Sequence, residues 1–176
     1  MKKLFLYSFL LLTLSVSSQQ IVEDPNSLVK VTKKQYSLSY PKSWLIDTSK
    51  ILGMDMILRS PRTDSLDDFS ENMNVFMQDL YGKNYTLSKM GEESEAQIKN
   101  VITDVEIVDS KLDSITSQPY YFLKYKGRHG KFLLTTIQYY YLKNEVGYAL
   151  TFTIKNGKEL EYILSIEKMV SSFKLY

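Results

Sequence analysis

Histidine occurs once in this chain, at His129, and cysteine does not occur. Those two facts remove much of the side-chain chemistry open to a protein. A metal site built from imidazole and thiolate cannot be assembled, and a Ser-His-Asp triad would rest on His129 alone. His129 stands in Gly127-Arg128-His129-Gly130, which the flanking pattern predicts as the turn between two strands. A general base must stay within hydrogen-bond reach of its proton donor. An exposed turn holds that geometry poorly, so His129 is read as a turn residue. Asp64, Asp67, Asp68 and Glu71 place hard oxygen ligands close together in one polar segment, of the kind calcium takes. Their spacing lacks the glycine-turned loop of an EF-hand. They are weak metal candidates only; a solvated loop is expected and no metal site is assigned. Glu92, Glu93 and Glu95 have no companion carboxylate that would complete a glycoside-hydrolysing pair. The chain carries no glycine-rich phosphate loop and no Gly-x-Ser-x-Gly elbow. No catalytic residue and no cofactor is expected, and the chain is not read as an enzyme.

Aromatic residues offer a different surface. Lys124, Lys126 and Lys131 mix with tyrosines along residues 120–142, including the run Tyr139-Tyr140-Tyr141. Interleaved rings and cations can stack bases, but tyrosine is equally a strand residue that covers a sheet face. An aromatic surface for a protein or small ligand is the better reading, because tyrosine is enriched at interfaces. Trp44, the only tryptophan, follows Pro41-Lys42-Ser43 and is expected to anchor that loop against the core. Asn84-Tyr85-Thr86 has the form of a glycosylation sequon, with no use expected.

The elements that position these residues follow from hydrophobic period. Tyr36, Leu38 and Tyr40 alternate with serines, as in a half-buried strand that Pro41 stops. Residues 44–46, 54–58 and 72–80 continue as strands, with the polar loop 62–70 between the last two. Residues 87–102 show helical spacing; their acidic first half suits the positive end of the helix dipole, and Gly91 weakens the helix or delays its start. Residues 105–112, 120–125, 131–142 and 148–154 read as strands. Residues 158–172 read as an amphipathic helix, with Leu160, Ile163, Leu164, Met169, Val170 and Phe173 near one stripe. This order predicts an α+β domain with an antiparallel sheet and helices packed on its faces. No internal repeat or linker divides residues 29–176, which are read as a single domain.

The first residues carry an address. Met1-Lys2-Lys3 is followed by an apolar run, Leu4–Leu14, then by Ser15-Val16-Ser17-Ser18. Val16 and Ser18 fit the −3 and −1 positions of a small-residue cleavage site. Residues 1–18 are therefore read as a signal peptide cleaved after Ser18, and residues 19–28 as a flexible leader. The apolar run is about half the roughly 20 residues that a spanning helix needs, so no transmembrane segment is expected. Absence of cysteine excludes thiol-linked lipid anchoring at the cleavage site and excludes disulfides. Loss of Lys2 and Lys3 takes the formal charge from +2 to zero. A neutral exported protein is a poor nucleic-acid binder, since phosphate contacts need excess Lys and Arg.

Several segments then fall into a known order. Tyr36-Ser-Leu-Ser-Tyr-Pro-Lys-Ser-Trp44 resembles the "apolar-x-apolar-x-Tyr-Pro-x-x-Trp" opening of the PsbP-like superfamily, which includes the photosystem-associated PsbP proteins, the Ran-binding Mog proteins and bacterial envelope proteins similar to DcrB. Asn72-Met-Asn-Val75 resembles its central strand. Gln138-Tyr-Tyr-Tyr-Leu-Lys-Asn144 and Gly147-Tyr-Ala-Leu-Thr-Phe-Thr153 resemble its C-terminal hairpin, and Met169-Val-Ser-Ser-Phe173 its closing segment. The resemblance implies an α/β/α sandwich around a central antiparallel sheet, no shared catalytic residues, and a role in binding partners. Fold alone does not assign function. The expectation is an exported, periplasmic or extracellular accessory protein that binds an envelope protein. The alternative is a small-molecule or calcium-binding module using the acidic loop or the aromatic surface.

Overall fold

The computed structural model describes residues 27–176. The predicted signal peptide, and all but the last two residues of the predicted leader, lie outside the described residues. Three strands form a small antiparallel sheet: β1 (Leu28–Thr32), β2 (Tyr36–Pro41) and β10 (Lys174–Leu175), with β2 in the middle. A larger antiparallel sheet contains β3 (Leu45–Asp47), β4 (Met56–Arg59), β5 (Asn72–Asp79), β6 (Thr103–Asp113), β7 (Tyr120–His129), β8 (Phe132–Lys143) and β9 (Val146–Lys155). Its order is β3-β4-β5-β9-β8-β7-β6. Two helices complete the described chain, α1 (Leu87–Val101) and α2 (Glu159–Ser172).

Period-2 alternation gives the large sheet two covered faces. On one face Met73, Val75, Leu150, Phe152, Ile137 and Tyr141 join a core shared with α2 and the small sheet. On the other, Leu123, Tyr125, Tyr140 and Ala149 meet Met90 and Ile98 of α1. Helix α1 lies on β6, β7 and β8, whereas α2 packs on β2 and β9. The α+β class and the antiparallel sheet agree with the expectation. The layer opposite α1, however, is a helix together with a second small sheet.

Strand β2 is buried more completely than its alternation suggests, Ser37 included. The core takes Tyr36, Leu38 and Tyr40, and β1 pairs along one edge. On the other edge β10 reaches only Ser37 and Tyr36. Beyond it, the Ser172 hydroxyl of α2 accepts the Ser39 N–H at 2.8 Å, so a side chain continues the ladder where the strand ends. Phe173 wedges between the layers, its ring 5.5 Å from that of Tyr36 and 5.1 Å from that of Tyr141.

Three local expectations change. The hairpin predicted at 127–130 turns later: β7 runs on through His129, which pairs with Phe132, and Gly130 takes the turn with φ 56°. Gly127 is a buried strand residue, and a Cβ there would lie 2.3 Å from Ile102 Cγ2. The acidic residues of α1 do not occupy its first turn, which is capped instead by the Thr86 side chain accepting the Lys89 N–H at 3.2 Å. The apolar stripe of α2 is also divided. Ile166 and Met169 are buried, with Tyr162 and Val170 packed against the same core, while Leu160, Ile163 and Leu164 face outward.

Gly91 is where α1 meets the sheet. A Cβ at this position would stand 2.2 Å from the Tyr121 ring. That ring is fixed by its hydroxyl, 2.6 Å from Ser110 Oγ. Gly91→Ala gains about 1 kcal/mol of helix propensity but overpacks this contact at a cost of roughly 1–3 kcal/mol. Urea denaturation is expected to show a net loss of up to about 2 kcal/mol; raised stability would mean that α1 does not press on Tyr121.

Candidate functional site

The acidic loop folds over the end of the β7–β8 hairpin. Asp68 is held by Lys131 at 2.8 Å and by Lys155 at 2.9 Å. Phe69 packs on Phe132 with centroids 5.2 Å apart, and Lys131 lies over the Phe132 ring at 4.7 Å. Asp67 Oδ2 accepts the Thr63 N–H at 3.0 Å, and Lys158 approaches its other oxygen at 3.7 Å. Asp64 accepts the Leu66 N–H at 2.7 Å. Glu71 is buried beside Ser60, whose hydroxyl is 3.4 Å away. The nearby Tyr162 phenol is pushed up to about 12, mainly by burial and further by Glu71, against an opposing hydrogen bond from Ser60. The four carboxylates therefore do not point at one centre. Among the described residues, no group of three or more His, Cys, Asp or Glu side chains could hold a metal ion. The loop's charge is used to latch residues 63–71 onto β8 and β9.

The other sequence candidates also have structural surroundings. His129 is exposed at the strand end. Trp44 is buried, edge-on to Tyr162 of α2 with centroids 6.1 Å apart, as expected of an anchor. Tyr139 and Tyr141 point to one core and Tyr140 to the other, so the tyrosine run is not one exposed aromatic surface. Burial pushes the Tyr139 and Tyr140 phenols up to about 12. Glu95 accepts from Lys99 at 2.6 Å and from Ser110 at 2.8 Å. Glu93 accepts from the Tyr85 hydroxyl at 2.5 Å, and Glu92 is exposed. Asn84 is an exposed turn residue with φ 51°.

Two concave surfaces were not anticipated. The first, a groove of about 730 Å³, lies between the 117–119 loop, the end of β8 and residues 171–175. There Gln118 accepts the Leu175 N–H at 3.0 Å and donates to the Phe173 carbonyl at 3.3 Å. The second is a cleft of about 420 Å³ beside α1. Helix α1 packs chiefly on β6, β7 and β8, and beside it the rows across β5, β9 and β8 form an open floor. Register places Asn74, Thr151 and Gln138 in one row across β5, β9 and β8, with Phe76, Ala149 and Tyr140 in the next. The Tyr140 hydroxyl donates to Gln138 Oε1 at 2.7 Å, and Gln138 Nε2 donates to Thr151 Oγ1 at 3.1 Å. This chain fixes which way the Gln138 amide points.

A third surface is convex. Leu160 and Leu164 of α2 are 88% and 66% exposed, and Ile163 between them is 36% exposed. Isolated exposed leucines are ordinary, whereas adjoining ones make an apolar patch. Among the described residues, no helix is long and apolar enough to cross a membrane.

No family model and no curated protein matches the chain. Solved structures do. Cyanobacterial PsbP (CyanoP) from Synechocystis superposes with a TM-score of 0.65 at 16% identity, covering 88% of this chain and 96% of that one. LpqN of Mycobacterium tuberculosis, described as involved in cell envelope biogenesis, gives 0.61 at 10% identity over 88% of this chain and 87% of its own. The Saccharomyces cerevisiae Ran-binding protein Mog1p gives 0.56 at 10% identity over 85% and 95%. The chain has the PsbP-like fold, as the segment order implied.

The latch predicts a pH dependence. The Lys131 and Lys155 ammonium groups hold the Asp68 carboxyl down at about 2. A carboxylate depressed in the folded state contributes stability that is fully present above its ordinary value and is lost as pH falls through the folded one. Thermal melts should show Asp68→Asn below the wild type at neutral pH, with the gap closing as pH drops from about 4 to about 2. A gap that is independent of pH would assign Asp68 a role other than its charge.

Proposed function

We propose that this chain is an exported, non-enzymatic accessory protein that binds another protein of the bacterial envelope. The observation that carries this reading is the Leu160-Ile163-Leu164 face of α2, an apolar patch at i, i+3 and i+4 on a helix whose opposite side is seated in the core. Apolar area left open on a folded surface gains free energy when a partner covers it. The fold is shared with a protein described as Ran-binding and with one described as involved in cell envelope biogenesis, which supports a binding role. Asp68 and Glu95 are held by lysines, Glu93 by the Tyr85 hydroxyl, and Tyr139, Tyr140 and Tyr141 are seated in the two cores. The leader pattern supports export, and the want of a cysteine supports a mature chain without a lipid anchor.

Two measurements test this reading. Fractionation of the native host, followed by mass spectrometry, should find the protein outside the cytoplasm with Gln19 as its first residue; a cytoplasmic chain still starting at Met1 would end the export reading. A photocrosslinking residue placed at Leu164 should give one discrete adduct with an envelope protein, abolished by Leu160→Asp, whereas placement at the exposed Ala96 of α1 should give none. Equal labelling from both positions would remove α2 as the contact surface.

A further inference from the structure

We infer that the cleft beside α1 binds a neutral saccharide of one or two rings. This site is separate from the α2 face and does not depend on the protein-partner reading.

The inference starts from what lines the cleft. Its floor is the Asn74–Thr151–Gln138 row, and α1 contributes Glu93, Ser94 and Gln97 to one wall. An amide presents donors and an acceptor side by side, and so does a hydroxyl. A sugar hydroxyl also donates and accepts, so vicinal hydroxyls match a row of amides and hydroxyls without any charge. The row is already oriented. Gln138 accepts a hydrogen bond from the Tyr140 hydroxyl and donates one to Thr151 Oγ1, which leaves the Thr151 hydroxyl proton directed elsewhere. Beside it, Phe76 is 37% exposed and supplies a flat apolar surface for the C–H face of a pyranose. The volume lies within the range of small-molecule sites, and a mostly preformed concavity with a few fixed polar groups is their usual form.

Charge narrows the ligand class. No lysine or arginine lines the cleft among the described residues, so a phosphate or carboxylate on its floor would meet no cation there. The one carboxylate, Glu93, already accepts from Tyr85, and Lys89 stands 4.0 Å from it at the rim. That leaves neither the several carboxylates a divalent cation needs nor an unbalanced charge for an amine. A purely apolar ligand would cover the amide row and leave it unpaired. A solvated sheet face would be equally polar, but it would be flat; here α1 and the Met54 segment wall it in.

The test is an NMR titration of the purified, nitrogen-labelled chain with glucose, N-acetylglucosamine, maltose and cellobiose. Glucose 6-phosphate and glucosamine serve as charged counterparts. At least one neutral sugar should give saturable shifts centred on the Asn74 and Gln138 side-chain amides. Asn74→Leu and Phe76→Ala, both at partly exposed positions, should each weaken binding about tenfold while preserving spectral dispersion. Leu160→Asp should leave the shifts intact, which separates failure here from failure of the α2 reading. Shifts that never saturate with any neutral sugar, that survive both cleft substitutions, or that are stronger with the charged counterparts would overturn the inference.

Discussion

Tyr139, Tyr140 and Tyr141 cannot share a layer, because successive side chains of a strand point to opposite faces. That constraint shapes the protein. Strand β8 sends Tyr139 and Tyr141 toward one core and Tyr140 toward the other, so the large sheet needs cover on both sides. One side is closed by α2 with β1, β2 and β10. The other is closed by α1, which seats Met90, Gly91 and Ile98 against β7 and β8. Fifteen residues of helix cover only part of seven strands, and the cleft is the uncovered remainder.

Element types were legible because period was strong. The alternation in residues 148–154 and the tyrosine-rich run 131–142 read directly as strands, and the Tyr-Pro-x-x-Trp opening pointed to the fold. Partners distant in sequence were not legible. Asp67 and Asp68 look like a solvated or calcium-seeking loop until Lys131 arrives from the β7–β8 turn, Lys155 from the end of β9 and Lys158 from the residue before α2. Helix α2 carries two overlapping apolar sets, and helical period alone does not say which faces inward. The choice is made by β2, where Ser172 meets Ser39. At Gly127 a turn-like composition misled, because the glycine is required by the Ile102 methyl packed over the strand.

The cleft was invisible for a related reason. Asn74 and Thr151 occupy the polar phase of alternating strands, and Gln138 stands alone beside a tyrosine run, so none reads as part of a shared site. Only register places them in one row, and only the short reach of α1 gives that row a wall. The apolar face of α2 and this polar floor lie on opposite sides of the large sheet, allowing two contacts of different chemistry on one small scaffold.

The strand order also constrains how the chain folds. Strands β6 to β9 form a meander in which each strand pairs with its neighbour in sequence. Strand β5, by contrast, gains its inner edge from β9, and β2 is completed by β10. Loop closure must precede the reward of such distant pairings. The amino-terminal strands therefore depend for their burial on segments made long after them. A chain interrupted before β9 would present β4 and β5 with open edges and bare apolar faces, the form of polypeptide that chaperones and proteases recognise.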